Sequence, residues 1–270
     1  MADLSHTDFE VAVPGGAIHA ELYGEAPTIA FIHGLSGSTP DWDRIWRALP
    51  EGMSGLRIDL RDHGRSRAEP GVSYSAADDL AAVLDAARVD RCAVVGMSHG
   101  GAVAANFAIE HPDRTSSLIL ISPALFGWEW SDEWRADFRP IIAHARAGDL
   151  ETAKRLWWNH PLFEKVRERP EAAELAESIA RFDGRPWLRD DHRRVLPDVE
   201  RLHLIKAPSL LLSGTQDVAE FRLIADLIAS TIPDLCRIDV PGAGHMLTLE
   251  APERAAAEIS RFLDPTQSPG

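Results

Sequence analysis

The segment Gly96-Met97-Ser98-His99-Gly100-Gly101 constrains the fold more than any other part of this 270-residue chain. It follows the apolar run Cys92-Ala93-Val94-Val95, which reads as a strand, and precedes Ala102 to Ile109, which reads as a buried helix. A serine at that junction must make a sharp, strained turn. Glycines two residues to either side let neighbouring backbones pass without Cβ clashes. The turn projects the hydroxyl away from the sheet and sets it at the positive end of a helix, where developing negative charge is stabilised. Three fixed residues in five recur by chance, so the pattern takes its weight from the strand, turn and helix around it, against the plainer reading of a glycine-rich turn with an incidental serine.

The rest of the chain supplies a fold for this turn. Thr28 to Ile32, Ser117 to Ile121 and Ser209 to Leu212 are, like Cys92 to Val95, short continuous apolar runs, the pattern of strands covered on both faces. Between them Leu80, Val83, Leu84 and Ala87 recur at helical spacing, as do Phe221, Ile224, Leu227 and Ile228, and later Ala256, Ile259 and Leu263. Strands alternating with helices predict an α/β fold with a mostly parallel central sheet flanked by helices. Phe9 to Val13 and Ala17 to Tyr23 flank Pro14-Gly15-Gly16, which predicts an antiparallel hairpin ahead of the parallel strands. The tail Asp264 to Gly270 is expected to be frayed.

The alternation stops near Pro123, and helical, charged stretches run to about Glu200. Six of the eight tryptophans fall here: Trp128, Trp130, Trp134, Trp157, Trp158 and Trp187. The expected organisation is a core of residues 1–122 and 201–270 with a helical cap, or lid, of residues 123–200. Ligand sites in open α/β sheets lie outside the carboxyl ends of the strands, where such an insertion would sit. A cap whose tryptophans only fill its own small core is the plainer alternative. As a lid it would bind substrate through Trp128, Trp157 and Trp158, with one of the adjacent pair Trp157-Trp158 facing the ligand and the other packing the lid.

Charge and cysteine content narrow the function classes. With 28 Lys+Arg against 42 Asp+Glu, the formal net charge of −14 opposes binding to nucleic acid or to an anionic membrane. No apolar stretch approaches the roughly 20 residues that span a bilayer. Met1 to Glu10 carries Asp3, Asp8 and Glu10 and lacks the basic and apolar regions of a secretory signal, which predicts a cytoplasmic protein. Cys92 and Cys236 both lie in strand-like runs and are expected to be reduced core thiols. The sequence leaves the oligomeric state open; a homo-oligomer is compatible with it.

A serine hydroxyl is a poor nucleophile at neutral pH and needs a base within reach and a third group to hold that base in the right tautomer. His245 lies in Pro241-Gly242-Ala243-Gly244-His245-Met246, after the short run Cys236 to Val240. Asp217 lies in Ser213-Gly214-Thr215-Gln216-Asp217, just past the strand Ser209 to Leu212, although it could also cap the helix that follows. Both candidates sit at the carboxyl ends of strands, on the same sheet edge as Ser98. If Asp217 is not the acid, Glu129 and Asp239 are next in line.

The turn around Ser98 and the chain order Ser, Asp, His together resemble the α/β-hydrolase superfamily, over nearly the whole chain. The resemblance implies a serine-nucleophile esterase or lactonase, similar to small cofactor-free esterases and enol-lactonases, with Ser98, Asp217 and His245 as its catalytic residues. His33-Gly34-Leu35-Ser36-Gly37-Ser38 resembles the superfamily's oxyanion loop, which assigns the two oxyanion donors to the main-chain N–H groups of Leu35 and His99. Losing one such donor costs on the order of 3 kcal/mol in barrier height. His33 and His63 are expected to be structural. Asp59 to Ser66 also looks like a family signature, with Asp62 where glycine is usual.

Other chemistries lack their residues. There is no His-Glu-x-x-His zinc pair, no Gly-x-x-x-x-Gly-Lys phosphate loop and no early dinucleotide fingerprint, so neither a metal nor a cofactor is expected. The expected reaction is cleavage of a small to medium apolar carboxylic ester or lactone, a small-molecule substrate, through an acyl-enzyme. A C–C bond hydrolase or lyase with the same triad, and a non-catalytic small-molecule receptor, are the alternatives.

Overall fold

The computed structural model describes residues 5–189, 191–193 and 196–264. The expected fraying beyond Asp264 falls outside these residues. The strands are β1 (Thr7–Val13), β2 (Gly16–Tyr23), β3 (Ile29–Ile32), β4 (Gly55–Ile58), β5 (Arg67–Ala68), β6 (Cys92–Met97), β7 (Thr115–Ile121), β8 (Ser209–Gly214) and β9 (Leu235–Val240). They form one sheet in the order β1-β2-β4-β3-β6-β7-β8-β9, with β5 paired to β2. From β4 to β9 every pairing is parallel, while the β1–β2 hairpin and the β2–β4 pairing are antiparallel. The hairpin closes between Val13 and Gly16, with Gly15 at φ 69°, a left-handed conformation that glycine adopts freely.

The helices are α1 (Asp43–Ala48), α2 (Ala76–Ala86), α3 (His99–Glu110), α4 (Asp132–Arg146), α5 (Leu150–Trp158), α6 (Glu164–Arg167), α7 (Ala172–Arg181), α8 (Arg185–Leu188), α9 (Ala219–Thr231), α10 (Leu247–Glu250) and α11 (Pro252–Leu263). Period-two alternation splits each central strand between two cores. Val94, Leu118, Leu120 and Leu211 pack with Leu80, Val83, Phe107 and Ile228 from α2, α3 and α9. Val95, Ile119, Ile121, Leu210 and Leu212 face the other way, onto Ile45, Trp46, Ala255 and Ile259 from α1 and α11. Both faces are therefore covered, which is why these strands read as unbroken apolar runs.

Helices α4 to α8 all lie between β7 and β8 in the chain. Their apolar residues, including Ile141, Trp157, Val166, Leu175 and Trp187, belong to the same cluster as Phe31, Val95 and Met97 of the sheet. A cluster that runs without a break from strand to inserted helix means that this segment is anchored by the main core.

One expectation is corrected. Cys92 is buried, and burial pushes its thiol up to about 12, but Cys236 is exposed. Strand β9 is the last in the sheet order, and its exposed positions include Cys236 and Asp239. No helix among the described residues is long and apolar enough to cross a membrane.

Candidate active site

Ser98 follows directly on β6 and caps the start of α3, with φ 53° and ψ −119°. Such a conformation costs a non-glycine residue on the order of 1–3 kcal/mol and persists only where the surroundings enforce it. Here they do. The Ser98 N–H donates to the Ile121 carbonyl at 3.0 Å, and the Ser98 carbonyl accepts from Gly101 and Ala124 at 2.9 and 2.8 Å. The glycines are needed for space. A Cβ on Gly96 would lie 2.1 Å from the Gly100 carbonyl oxygen, and one on Gly100 would lie 2.2 Å from that of Ile32.

Asp217 and His245 follow β8 and β9, which are parallel neighbours, so their loops leave the same sheet edge. The loops run backbone against backbone. A Cβ on Gly214 would lie 2.1 Å from the Gly244 carbonyl oxygen, and Gln216 donates its N–H to Ala243 at 2.8 Å. This contact brings His245 Nδ1 to 3.0 Å from Asp217 Oδ2, with both side chains buried. The other carboxylate oxygen accepts the Val218 N–H at 2.8 Å, and no side chain caps α9. A carboxylate only accepts, so Nδ1 carries the imidazole proton and Nε2 presents a lone pair. That Nε2 is buried and has no protein partner, and its ring meets Phe221 edge-on at 4.2 Å. Ser98 and His245 border one cavity, although no hydrogen bond joins them in the structure.

The loop after β3 lies over Ser98, where a Cβ on Gly34 would be 3.3 Å from the Ser98 Cβ. His33 holds this loop. Its Nε2 accepts the Leu60 N–H at 3.0 Å, which leaves the proton on Nδ1 to donate to the Gly34 carbonyl at 2.8 Å. His63 donates from Nδ1 to the Arg61 carbonyl and stacks on Phe182, and burial drives its imidazole well below the ordinary range. Asp62 takes the conformation that glycine would supply, at φ 61°, and its carboxylate receives Arg189 at 2.9 Å. Aspartate is among the few side chains that tolerate this region. The main-chain N–H groups of Leu35 and His99 bind nothing else among the described residues.

Ser98 borders two cavities. One, of about 600 Å³, is walled by Leu35, Trp130, Trp134, Phe138, Trp157 and Phe221, together with His99 and the arginines Arg135, Arg139 and Arg146. Burial, with His192 and His33 nearby, brings the His99 imidazole down to about 4, so it lines this wall uncharged. The second cavity is narrow; its wall is mainly apolar, with His245, Ser36, Asp41, Ser178 and Thr248 as polar groups on it. Of the tryptophans proposed to bind substrate, Trp157 borders both cavities, whereas Trp128 and Trp158 border neither. Trp128 instead donates its indole N–H to Glu220 at 2.8 Å. Trp130 and Trp134 take wall positions, their rings stacked 4.5 Å apart.

Three residues of the site escaped the sequence reading. Ser36 accepts the Trp157 indole N–H at 2.8 Å and so ties α5 to the loop over Ser98. Glu250, with a buried side chain, accepts the N–H groups of both Gly244 and Met246 at 2.8 and 2.9 Å, gripping the loop on either side of His245. Asp41 accepts the Ser178 hydroxyl at 2.9 Å, and both residues line the narrow cavity. A Glu five residues past a candidate base, close to its flanking amides, was the only one with a local signal. Among the described residues one group converges as metal ligands could: His6, Asp8 and Glu21, at the β1–β2 end of the sheet. Its acids are engaged already, Asp8 by Arg65 and Glu21 by Tyr23 and Thr39.

A profile of the alpha/beta hydrolase fold matches residues 27–252, and the chain belongs to that family. It is 28% identical over 266 residues, covering 92% of this chain and 94% of the other, to a Bacillus subtilis (strain 168) protein provisionally named a 2-succinyl-6-hydroxy-2,4-cyclohexadiene-1-carboxylate synthase. It is 25% identical over 242 residues, 87% of this chain and 92% of the other, to the esterase YbfF of Escherichia coli. A thermophilic esterase from Thermogutta terrifontis shares the fold with a TM-score of 0.83 at 22% identity, over 97% of this chain and all of the other. The family and its esterase relative support a hydrolase.

Proposed function

We propose that this protein is a serine hydrolase that cleaves a small to medium apolar carboxylic ester or lactone through an acyl-enzyme. The observation that carries the reading is His245, held by Asp217 in the tautomer that leaves Nε2 without a protein partner, in a residue that borders the same cavity as Ser98. Ser98 Oγ attacks the carbonyl carbon while His245 Nε2 takes its proton; the contact between them closes when substrate binds, as catalytic hydrogen bonds often tighten only in the bound complex. The Leu35 and His99 N–H groups receive the oxyanion. His245 then gives its proton to the leaving alcohol, and water releases the acid by the same steps in reverse. Every group needed is a side chain or main-chain amide, and no cofactor takes part. The aromatic part of the cavity beside Ser98 suits an apolar acyl chain or ring, and Arg135, Arg139 and Arg146 line the same cavity. A cytoplasmic small-molecule esterase or lactonase fits the acidic chain.

The test is turnover of a p-nitrophenyl ester and lactone panel by wild type and Ser98→Ala, both checked for folding by circular dichroism. The reading expects ester or lactone turnover that the substitution abolishes. Residual activity within tenfold would remove Ser98 from the chemistry. Turnover of diketone-like substrates alone would favour C–C bond cleavage, and binding without turnover a receptor.

A further inference from the structure

The acyl-enzyme reading raises a question of access. An acyl chain lodged among Trp130, Trp134 and Phe138 covers Ser98 from the apolar side, and water must reach the ester carbon from elsewhere. The second cavity at Ser98 has the right size and chemistry. Its volume is about 30 Å³, and roughly 10–15 Å³ suffices for one water, so it accommodates about two in single file. Asp41, Leu175, Ser178, Met246 and Thr248 border it and also border a surface cavity of about 600 Å³ between α1 and α7. The outer rim of that surface cavity is exposed and charged, with Arg47, Glu177, Arg181 and Glu253.

The hydroxyls in the narrow cavity each make one bond and retain capacity for another. Ser36 accepts from Trp157 and keeps its own proton to donate; Ser178 donates to Asp41 and keeps its lone pairs; Thr248 donates to the Met97 sulfur at 3.6 Å and keeps its lone pairs. At the inner end His245 Nε2 has no protein partner. Asp41 accepts from Ser178 and from the Ser38 N–H, and burial pushes its carboxyl up from its ordinary value. The narrow cavity therefore carries hydrogen-bonding groups with spare capacity between the surface cavity and the base, the partners that ordered waters need.

We propose that this narrow neck, lined by Asp41 and Ser178, is the route by which hydrolytic water reaches the acyl-Ser98 intermediate. The inference rests on the serine mechanism above. In the step it serves, a water at the inner end passes a proton to His245 Nε2 as its oxygen bonds to the acyl carbon. The bond from that carbon to Ser98 Oγ then breaks, His245 returns the proton to Oγ, and the carboxylic acid leaves. Acylation needs no water, so obstructing the neck slows only the second half of the cycle.

Ser178→Leu places a larger apolar side chain in the neck. Stopped-flow release of p-nitrophenolate from p-nitrophenyl butyrate separates the two halves, and intact-protein mass spectrometry on quenched samples measures the acyl-enzyme. The expected result is an acylation rate within threefold of wild type, a steady-state rate at least tenfold lower, and accumulation of butyryl-Ser98. Equal loss of both rates, or loss of neither, overturns the route. Leu175→Phe obstructs the same wall and gives the same readout should Ser178→Leu fail to fold. No acyl-Ser98 in either wild type or variant, under any substrate, would overturn the serine mechanism itself and the route with it.

Discussion

Replacing Glu250 by glutamine changes one atom type in a buried side chain and tests how the histidine loop is held. The carboxylate accepts two main-chain N–H groups, from Gly244 at 2.8 Å and Met246 at 2.9 Å, one on each side of His245. Glutamine offers a single acceptor oxygen, so one of those amides must face an NH₂ group. A hydrogen bond to a charged acceptor contributes about 1.5–3 kcal/mol, and an abandoned buried donor adds its desolvation cost, giving about 2–4 kcal/mol in all. Arg169 Nε, 3.6 Å from the same carboxylate, is partly exposed and turns to water, so it adds little. For a chain of this length each kcal/mol moves the melting temperature by about 2 °C, so Glu250→Gln should melt about 4–8 °C lower. Activity should fall further than stability implies, because a shift of about 1 Å in the base costs about a hundredfold in rate. Thermal unfolding by circular dichroism and kcat on p-nitrophenyl butyrate at 25 °C give the two numbers. A melting temperature within 1 °C of wild type together with kcat within twofold would refute the reasoning, and a lowered melting temperature with normal kcat would make Glu250 purely structural.

Asp217→Asn should fold normally yet lose about 10⁴ in kcat, since an amide supports neither the productive tautomer nor the imidazolium; a loss below tenfold would exclude Asp217 as the orienting acid. Trp134→Ala should raise KM for hexanoate over acetate p-nitrophenyl esters, because the ring walls the apolar cavity, and an unchanged chain-length preference would move acyl recognition elsewhere. Trp157→Ala should both widen that preference and destabilise by about 3–5 kcal/mol, since one ring fills core, walls the site and bonds Ser36; a stable variant would contradict this double role. Burial brings His160 down to about 4 while an unfolded histidine titrates near 6.5, so the unfolded state binds the extra proton between those values and stability falls as pH drops from about 6.5 to 4. Urea titrations should show that slope reduced in His160→Asn, whose amide oxygen can still accept the Leu162 N–H that His160 Nδ1 now accepts; an identical slope would assign the pH dependence to other groups.

What the sequence made legible was what short-range pattern encodes. The runs at β6, β7 and β8, the Gly15 hairpin and the strand-end positions of Ser98, Asp217 and His245 all follow from local periodicity and turn residues. Strand β4 was hidden because Arg57 interrupts its apolar run. That arginine is fully buried, its charge met by Asp43 at 2.6 Å and its guanidinium lying 4.4 Å over the Tyr23 ring, a compensation no window of sequence reveals. Ser36 with Trp157 and Asp41 with Ser178 were invisible for a related reason, since more than a hundred residues separate the partners in each pair. Which tryptophans border the site depends on orientation. Trp157 faces the site while Trp158, one residue on, turns aside, as adjacent helical residues must, but which of the two does so depends on how α5 rests on the sheet. Cys236 was misplaced because burial of β9 depends on its being an edge strand, which is a property of the whole sheet.

The central claim is that Ser98 is a nucleophile activated by His245, and covalent trapping tests it most directly. Wild type, Ser98→Ala and His245→Ala would each be treated with a fluorophosphonate, digested and mapped by mass spectrometry, with residual ester hydrolysis followed in the same samples. The account predicts one adduct per chain, on Ser98, loss of activity in proportion to labelling, and labelling slowed by orders of magnitude in His245→Ala. An adduct on another residue, or full activity remaining after stoichiometric labelling of Ser98, would contradict it.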